Sequence, residues 1–173
     1  MGRYLVVVDM QNDFVTGVLG SEEAKKIVPY VALKVANFSG DVIFTRDSHD
    51  EDYLASEEAK RLPICHCVRG SEGWEVVPEL LPYLEGSAVI DKPSFGSLEL
   101  ADYLRKKHEE SPIDEVEVIG VCTDICVVSN VILLKATLPE VRILVDAKGC
   151  AGTSTSNHEA ALQVMRCCHV DVV

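Results

Sequence analysis

The chain reads as an α/β protein: three layers, α/β/α, around a mostly parallel sheet of six strands. Short, apolar, β-branched runs alternate with stretches of helical period along the whole sequence. Such alternation is the pattern of strands joined by crossover helices. No linker or low-complexity stretch interrupts the 173 residues, and 47% of them are hydrophobic, which suits one large core.

The first strand is expected at 4–9, a Tyr-Leu-Val-Val-Val-Asp run, and the first helix at 27–38. A second strand follows at 41–46. Residues 50–81 fit neither period and carry turn signals at Gly70 and Gly73; a long irregular insertion in a compact domain is often functional. The third strand, 88–91, is closed by Pro93, and 98–107 is helical. Strand 115–120 runs into a helix at 124–138, with Thr123 as its N-cap and Pro139 as its stop. The last elements are a strand at 141–147, a helix at 156–168 and a terminal strand at 170–173. Ser156 with Glu159 reads as a capping box for that last helix. The expected organisation is a single domain over 1–173.

Formal net charge is −12, from 16 basic and 28 acidic residues, and the charges scatter over helix faces and loops. Without a basic stripe, no nucleic-acid partner is expected. The longest apolar run, 127–134, is interrupted by Ser129 and Asn130 and is too short to span a bilayer. No signal-peptide pattern precedes the first strand, and the seven cysteines are an odd number in no secreted framework. A cytoplasmic location is therefore expected, with no membrane partner.

Chemistry collects at one edge of the sheet. Ligands of an open parallel sheet bind beyond the carboxyl ends of its strands. Here the first strand ends in Asp9, the second runs into Asp47 and His49, the third ends in Asp91-Lys92, and the fourth leads to Cys126. A carboxylate, an ammonium and a thiol make a nucleophilic set. Cys126 attacks a carbonyl, Asp9 is general base and then acid, and Lys92 holds both anions in register. With Thr123 as N-cap, Cys126 sits in the first helical turn, where the backbone dipole should lower its pKa. The amides of Cys122 and Cys126 are the expected oxyanion donors. Asp47 and His49, two apart on extended chain, project to one side. With His66 from the insertion they suit Zn²⁺, or Fe²⁺ or Mn²⁺, leaving positions open for substrate or water.

The runs Val7-Val-Asp9-Met-Gln-Asn-Asp13-Phe14, Thr45-Arg46-Asp47-Ser-His49, Lys92 and Gly120-Val-Cys-Thr-Asp-Ile-Cys126-Val, in this order, resemble the isochorismatase-like cysteine hydrolases. Within that superfamily, a Rossmann-like fold, the chain is most similar to nicotinamidases. The resemblance implies a catalytic triad of Asp9, Lys92 and Cys126 and a cis peptide between Val121 and Cys122. It also implies a metal on Asp47, His49 and His66 that holds a pyridine nitrogen and turns the carboxamide towards the thiol. Some relatives add a Glu about nine residues after the first His, a spacing that Glu58 matches. The expected reaction is hydrolysis of a small carboxamide, nicotinamide first, to acid and ammonia through a thioester. Phe14 and Val121 are expected against the substrate.

The sequence departs from nicotinamidases in two stretches: the run after Lys92, Pro-Ser-Phe-Gly-Ser, is shorter than their usual loop, and the residues before His66 also differ. Leu62-Pro63-Ile64-Cys65-His66 stands where they have an aromatic Trp-Pro-Pro-His, so Phe14 or Phe95 must supply the ring wall. The same triad without the metal would serve a carbamoyl or ureido substrate, and a non-catalytic metal or thiol sensor is the remote third reading. Trp74, Cys167 and Cys168 read as packing residues, and His158 and His169 receive no role. Folds of this kind commonly self-associate, and the apolar run 127–134 is compatible with a homo-oligomer.

Overall fold

The computed structural model describes residues 2–173. Six parallel strands lie in the order β3-β2-β1-β4-β5-β6. They are β1 (Gly2–Val8), β2 (Asp41–Asp47), β3 (Ala88–Lys92), β4 (Ile113–Val121), β5 (Arg142–Ala151) and β6 (Asp171–Val172). The helices are α1 (Asn12–Val15), α2 (Glu22–Asn37), α3 (Leu98–Glu110), α4 (Val128–Thr137) and α5 (Thr155–Cys167).

Alternate side chains of the central strands face two cores, as the pleat requires. Val6 and Val8 of β1 join Leu104 of α3, Leu134 of α4 and Met165 of α5 on one side. Leu5 and Val7 join Ile27, Val31 and Val35 of α2 and Val76, Val77 and Leu80 of the insertion on the other. The expected three layers are thus present, and the long insertion is part of one of them.

Chain order places the chemistry. From β1 the chain moves outward to β2 and β3, then crosses back to β4 on the other side of β1. The crevice beyond β1 and β4 is the switch point at which such sheets bind ligands. Gly120 makes the close approach possible: at φ +123°, a Cβ there would lie 2.1 Å from the Val8 carbonyl oxygen. Only glycine fits so near a backbone at that dihedral.

Several local expectations are corrected. α2 starts five residues earlier than expected, because Ser21 accepts from the Ala24 amide and starts a turn whose only buried residue is Ala24. Thr123 is not an N-cap. Residues Thr123–Val127 form a π-turn ahead of α4, with the Ile125 and Val127 amides donating to the Cys122 carbonyl. α5 is capped by Ser154, whose hydroxyl accepts from the Asn157 amide, so the Ser156/Glu159 capping box does not form. Cys167 and Cys168 are exposed rather than packed, since the buried stripe of α5 runs through Ala161, Leu162 and Met165 and misses them.

Candidate active site

Three strand ends and one turn deliver the expected residues to a single buried cluster. Lys92, at the end of β3, lies 2.7 Å from Asp9 Oδ2 through its Nζ. The same Nζ is 3.5 Å from Cys126 Sγ and 3.5 Å from Asp47 Oδ1, and donates to the Ser94 carbonyl at 3.1 Å. Asp9 and Lys92 are fully buried, and Cys126 is 4% exposed. Asp9 follows β1 with φ +49°, a left-handed conformation that Asp tolerates better than most residues and that recurs at functional sites. Thr45 donates its hydroxyl to Asp9 Oδ1 at 2.6 Å, setting the carboxylate's orientation.

The electrostatics differ from the first-turn argument. Burial, and then the Asp9 carboxylate, push the Cys126 thiol well above its ordinary pKa, with Lys92 pulling the other way. The dipole expectation fails because Cys126 sits inside the core, where removing a thiolate from water outweighs a helix-end partial charge. Burial also raises Asp9, against the pull of Lys92. Lys92 itself stays protonated: burial disfavours its charge, but Asp9, Cys126 and Asp47 more than offset this. The result is a thiol and a carboxyl group both shifted upward around a fixed ammonium.

Beside this trio, Asp47, His49 and His66 bring one donor atom each to within 4.8 Å of one another, all three buried. Asp47 Oδ2 lies 3.1 Å from His49 Nε2 and 3.4 Å from His66 Nε2. His66 Nδ1 faces the Ile64 carbonyl at 2.8 Å. A carbonyl only accepts, so in the neutral ring the proton is on Nδ1 and the Nε2 lone pair points at a carboxylate. Converging lone pairs with the second nitrogen pinned by a backbone oxygen are the donor set of a divalent-metal site, and these residues fit one. Although burial works to raise Asp47, His49, His66 and Lys92 hold its carboxyl well below the usual range, so it is ionised as a ligand must be.

Glu58 belongs to the same place. Its carboxylate faces His66 Nε2 at 3.6 Å and His49 Nε2 at 4.0 Å. Glu57, its neighbour, instead pairs with Lys60 at the surface. Cys67 is buried in the apolar cluster that holds Phe14 and Val76, and Cys65 is exposed.

Both groups open on a cavity of about 320 Å³. Phe14, Leu62, Phe95, Val121, Cys122 and Ile125 contribute to its walls, along with Asp47, Glu58, His66 and Cys126. Phe14 and Phe95 thus stand where the missing aromatic residue would be sought. The peptide between Val121 and Cys122, which both line the cavity, is cis. Trp74 is absent from these walls. It donates to Ser48 at 2.7 Å and carries the Arg46 guanidinium stacked 3.6 Å from its ring, a packing role.

Several residues that hold the site were assigned nothing from sequence. Gln11 donates to the carbonyls of Asp47 and Trp74 and accepts from the Asp47 amide, tying β2 to the insertion. Asp13 accepts from the Cys67 amide at 2.7 Å, next to His66. A Cβ on Gly73 would sit 2.2 Å from that carboxylate, so glycine is needed there. Tyr53 lays its ring edge against both imidazoles and donates to the Leu62 carbonyl. His158 is hydrogen-bonded to the buried hydroxyl of Thr123 at 2.8 Å. Gln11 and Asp13 lie within the Asp-Met-Gln-Asn-Asp-Phe run, so motif membership was a usable signal; Tyr53 and His158 had none.

Comparison with known proteins agrees with this geometry. The isochorismatase domain family model matches residues 3–173, and the chain belongs to that family. It is 29% identical over 192 residues to a nicotinamidase/pyrazinamidase of Mycobacterium tuberculosis, covering 99% of this chain and 98% of the relative. Among solved structures it is similar to the pyrazinamidase of Pyrococcus horikoshii in complex with zinc, with a TM-score of 0.84, 27% identity and 100% and 99% of the two chains covered. The nicotinamidase of Bacillus subtilis superimposes with a TM-score of 0.80 at 28% identity, covering 100% of this chain and 99% of its own.

Proposed function

We propose that this protein is a metal-assisted cysteine amidohydrolase that converts nicotinamide to nicotinate and ammonia. The observation that carries the reading is the meeting of Asp9, Lys92 and Cys126 beside an Asp47/His49/His66 donor set on one cavity. The names of the similar proteins, nicotinamidases and pyrazinamidases, supply the substrate class.

Asp9 takes the Cys126 proton as the sulfur attacks the carboxamide carbon. Both groups are shifted upward by burial, which brings their proton affinities closer and eases the transfer. Lys92 holds the two anions apart and in register at each stage. Negative charge on the former carbonyl oxygen falls to the amides of Cys122 and Cys126. Asp9 then returns its proton to the nitrogen, ammonia leaves, and a thioester to Cys126 remains. Water, activated by Asp9, attacks that thioester; the acid departs and the thiol is restored. A divalent ion, zinc first, held by Asp47, His49 and His66 with Glu58 facing the site, would bind the ring nitrogen and orient the carboxamide. Phe14 and Phe95 flank the ring, with Val121 below. The same reading has the protein act on this small amide in the reducing cytoplasm as a homo-oligomer, without nucleic-acid or membrane partners.

Ammonia release from nicotinamide by the zinc-loaded protein and by Cys126→Ala tests this. Wild type should turn over, and the variant should lose at least about 10⁴-fold. An equally active variant ends the mechanism. A wild type that is active only on ureido compounds, and without zinc, ends the substrate assignment.

A further inference from the structure

Asn130 is a polar residue buried in the first turn of α4, 1% exposed, in a position where an apolar side chain would pack more cheaply. All of its amide group is used. Its oxygen accepts from the Ser97 amide at 2.9 Å; its nitrogen donates to the Phe95 carbonyl at 3.0 Å and to the Cys126 carbonyl at 2.8 Å. These three partners belong to two segments that are far apart in the chain. One is the turn that carries the sulfur. The other is the loop after β3, which carries Phe95 into the cavity wall and offers the Ser94 carbonyl to Lys92 Nζ at 3.1 Å. Ser97 closes that loop as the N-cap of α3. The 3.5 Å separation of Lys92 Nζ from Cys126 Sγ therefore spans two segments that Asn130 clamps together.

We infer that Asn130 is a positioning residue: it sets the nucleophile against the ammonium through Cys126 and sets the ring wall through Phe95. The inference rests on the hydrolase reading above for its kinetic readout, though not for its chemical one. Two variants separate the ends of the clamp. Asn130→Ala removes all three bonds. Asn130→Thr keeps one, because a threonine hydroxyl within a helix can donate to the carbonyl four residues back, here that of Cys126.

With nicotinamide and saturating zinc, Asn130→Ala should lower kcat by about tenfold to a hundredfold and raise KM, as displaced reacting groups do. Asn130→Thr should recover kcat to within about threefold of wild type while KM stays raised, since the Phe95 end is still free. In parallel, the rate of Cys126 alkylation by iodoacetamide, followed by mass spectrometry of its peptide, should fall in Asn130→Ala and recover in Asn130→Thr. Equal losses in both variants with unchanged KM, or unaltered alkylation in a merely less stable Asn130→Ala, would reduce Asn130 to a packing residue. Should wild type release no ammonia from nicotinamide, the substrate reading fails, and the alkylation series alone decides for or against the clamp.

Discussion

Two clusters of this molecule each place a lysine between two carboxylates, and only one of the two lysines faces a thiol. Lys92 lies between Asp9 and Asp47 at the carboxyl ends of the strands, at 2.7 and 3.5 Å. Lys34 of α2 lies between Glu117 of β4 and Asp146 of β5, at 2.5 and 2.6 Å, with the Tyr30 hydroxyl donating to Asp146 at 2.7 Å. The charges are alike. At Lys34 each carboxylate is close to a donor, and the ammonium is a quarter exposed on its helix. At Lys92 the ammonium is completely buried and its next neighbour is a thiol. A buried ion triad is therefore no mark of a site; the mark is a further group whose charge the triad must manage.

Removing each lysine is the severest test of that contrast. Lys92→Met should cut ammonia release by about 10³-fold or more, because the thiolate and the developing oxyanion lose their fixed counter-charge. It should also cost about 3–5 kcal/mol in urea unfolding, by leaving Asp9 and Asp47 buried without their cation. Lys34→Met should leave kcat within about twofold, at a stability cost of about 2 kcal/mol that solvent access to Lys34 keeps smaller. Equal kinetic losses from the two would erase the distinction.

Metal chemistry should divide the clusters next. His66→Ala should abolish stoichiometric zinc binding by equilibrium dialysis. Glu58→Gln should weaken it by about tenfold, the scale of a supporting group, and Asp146→Asn should leave it unchanged. A Glu58→Gln affinity equal to wild type would place Glu58 outside the metal's surroundings.

The smallest effect is one of pH. Burial works to raise Asp146, but its bonds to Lys34 and Tyr30 prevail and hold its carboxyl below the ordinary value of 3.8. A carboxyl depressed in the folded state contributes stability that is complete above the unfolded pKa and lost as pH falls through the folded one. The stability gap between wild type and Asp146→Asn, about 1 kcal/mol near neutrality, should thus shrink as pH falls below 4. A gap that widens on acidification would contradict the sign.

How much of this was legible in the residues varies with the range of the interaction. Strand cores such as Leu5–Val8 were readable because a run of apolar, β-branched residues declares itself locally. Asp9, Lys92 and Cys126 were readable because each closes or follows such a run. The start of α2 was not, since its first turn buries only Ala24. Nor was the break at Thr123–Val127, where the turn follows from the bonds that its own amides make to Cys122. Glu58 and His66 share an insertion without period, and what brings them to Asp47 is a set of distant partners: Asp13 on the Cys67 amide and Gln11 on the Trp74 carbonyl. Only motif membership hinted at these.

Periodicity and residue type were enough to settle the α/β layering, the strand ends and the kinds of chemistry available, because those depend on neighbours a few positions apart. Folding settled the rest: which of two lysine clusters lies against a thiol, that the Cys126 thiol is raised rather than lowered, and that Asn130 joins the two halves of the site. Each of these depends on burial and on groups tens of residues away, and desolvation exists only once the chain has closed around them.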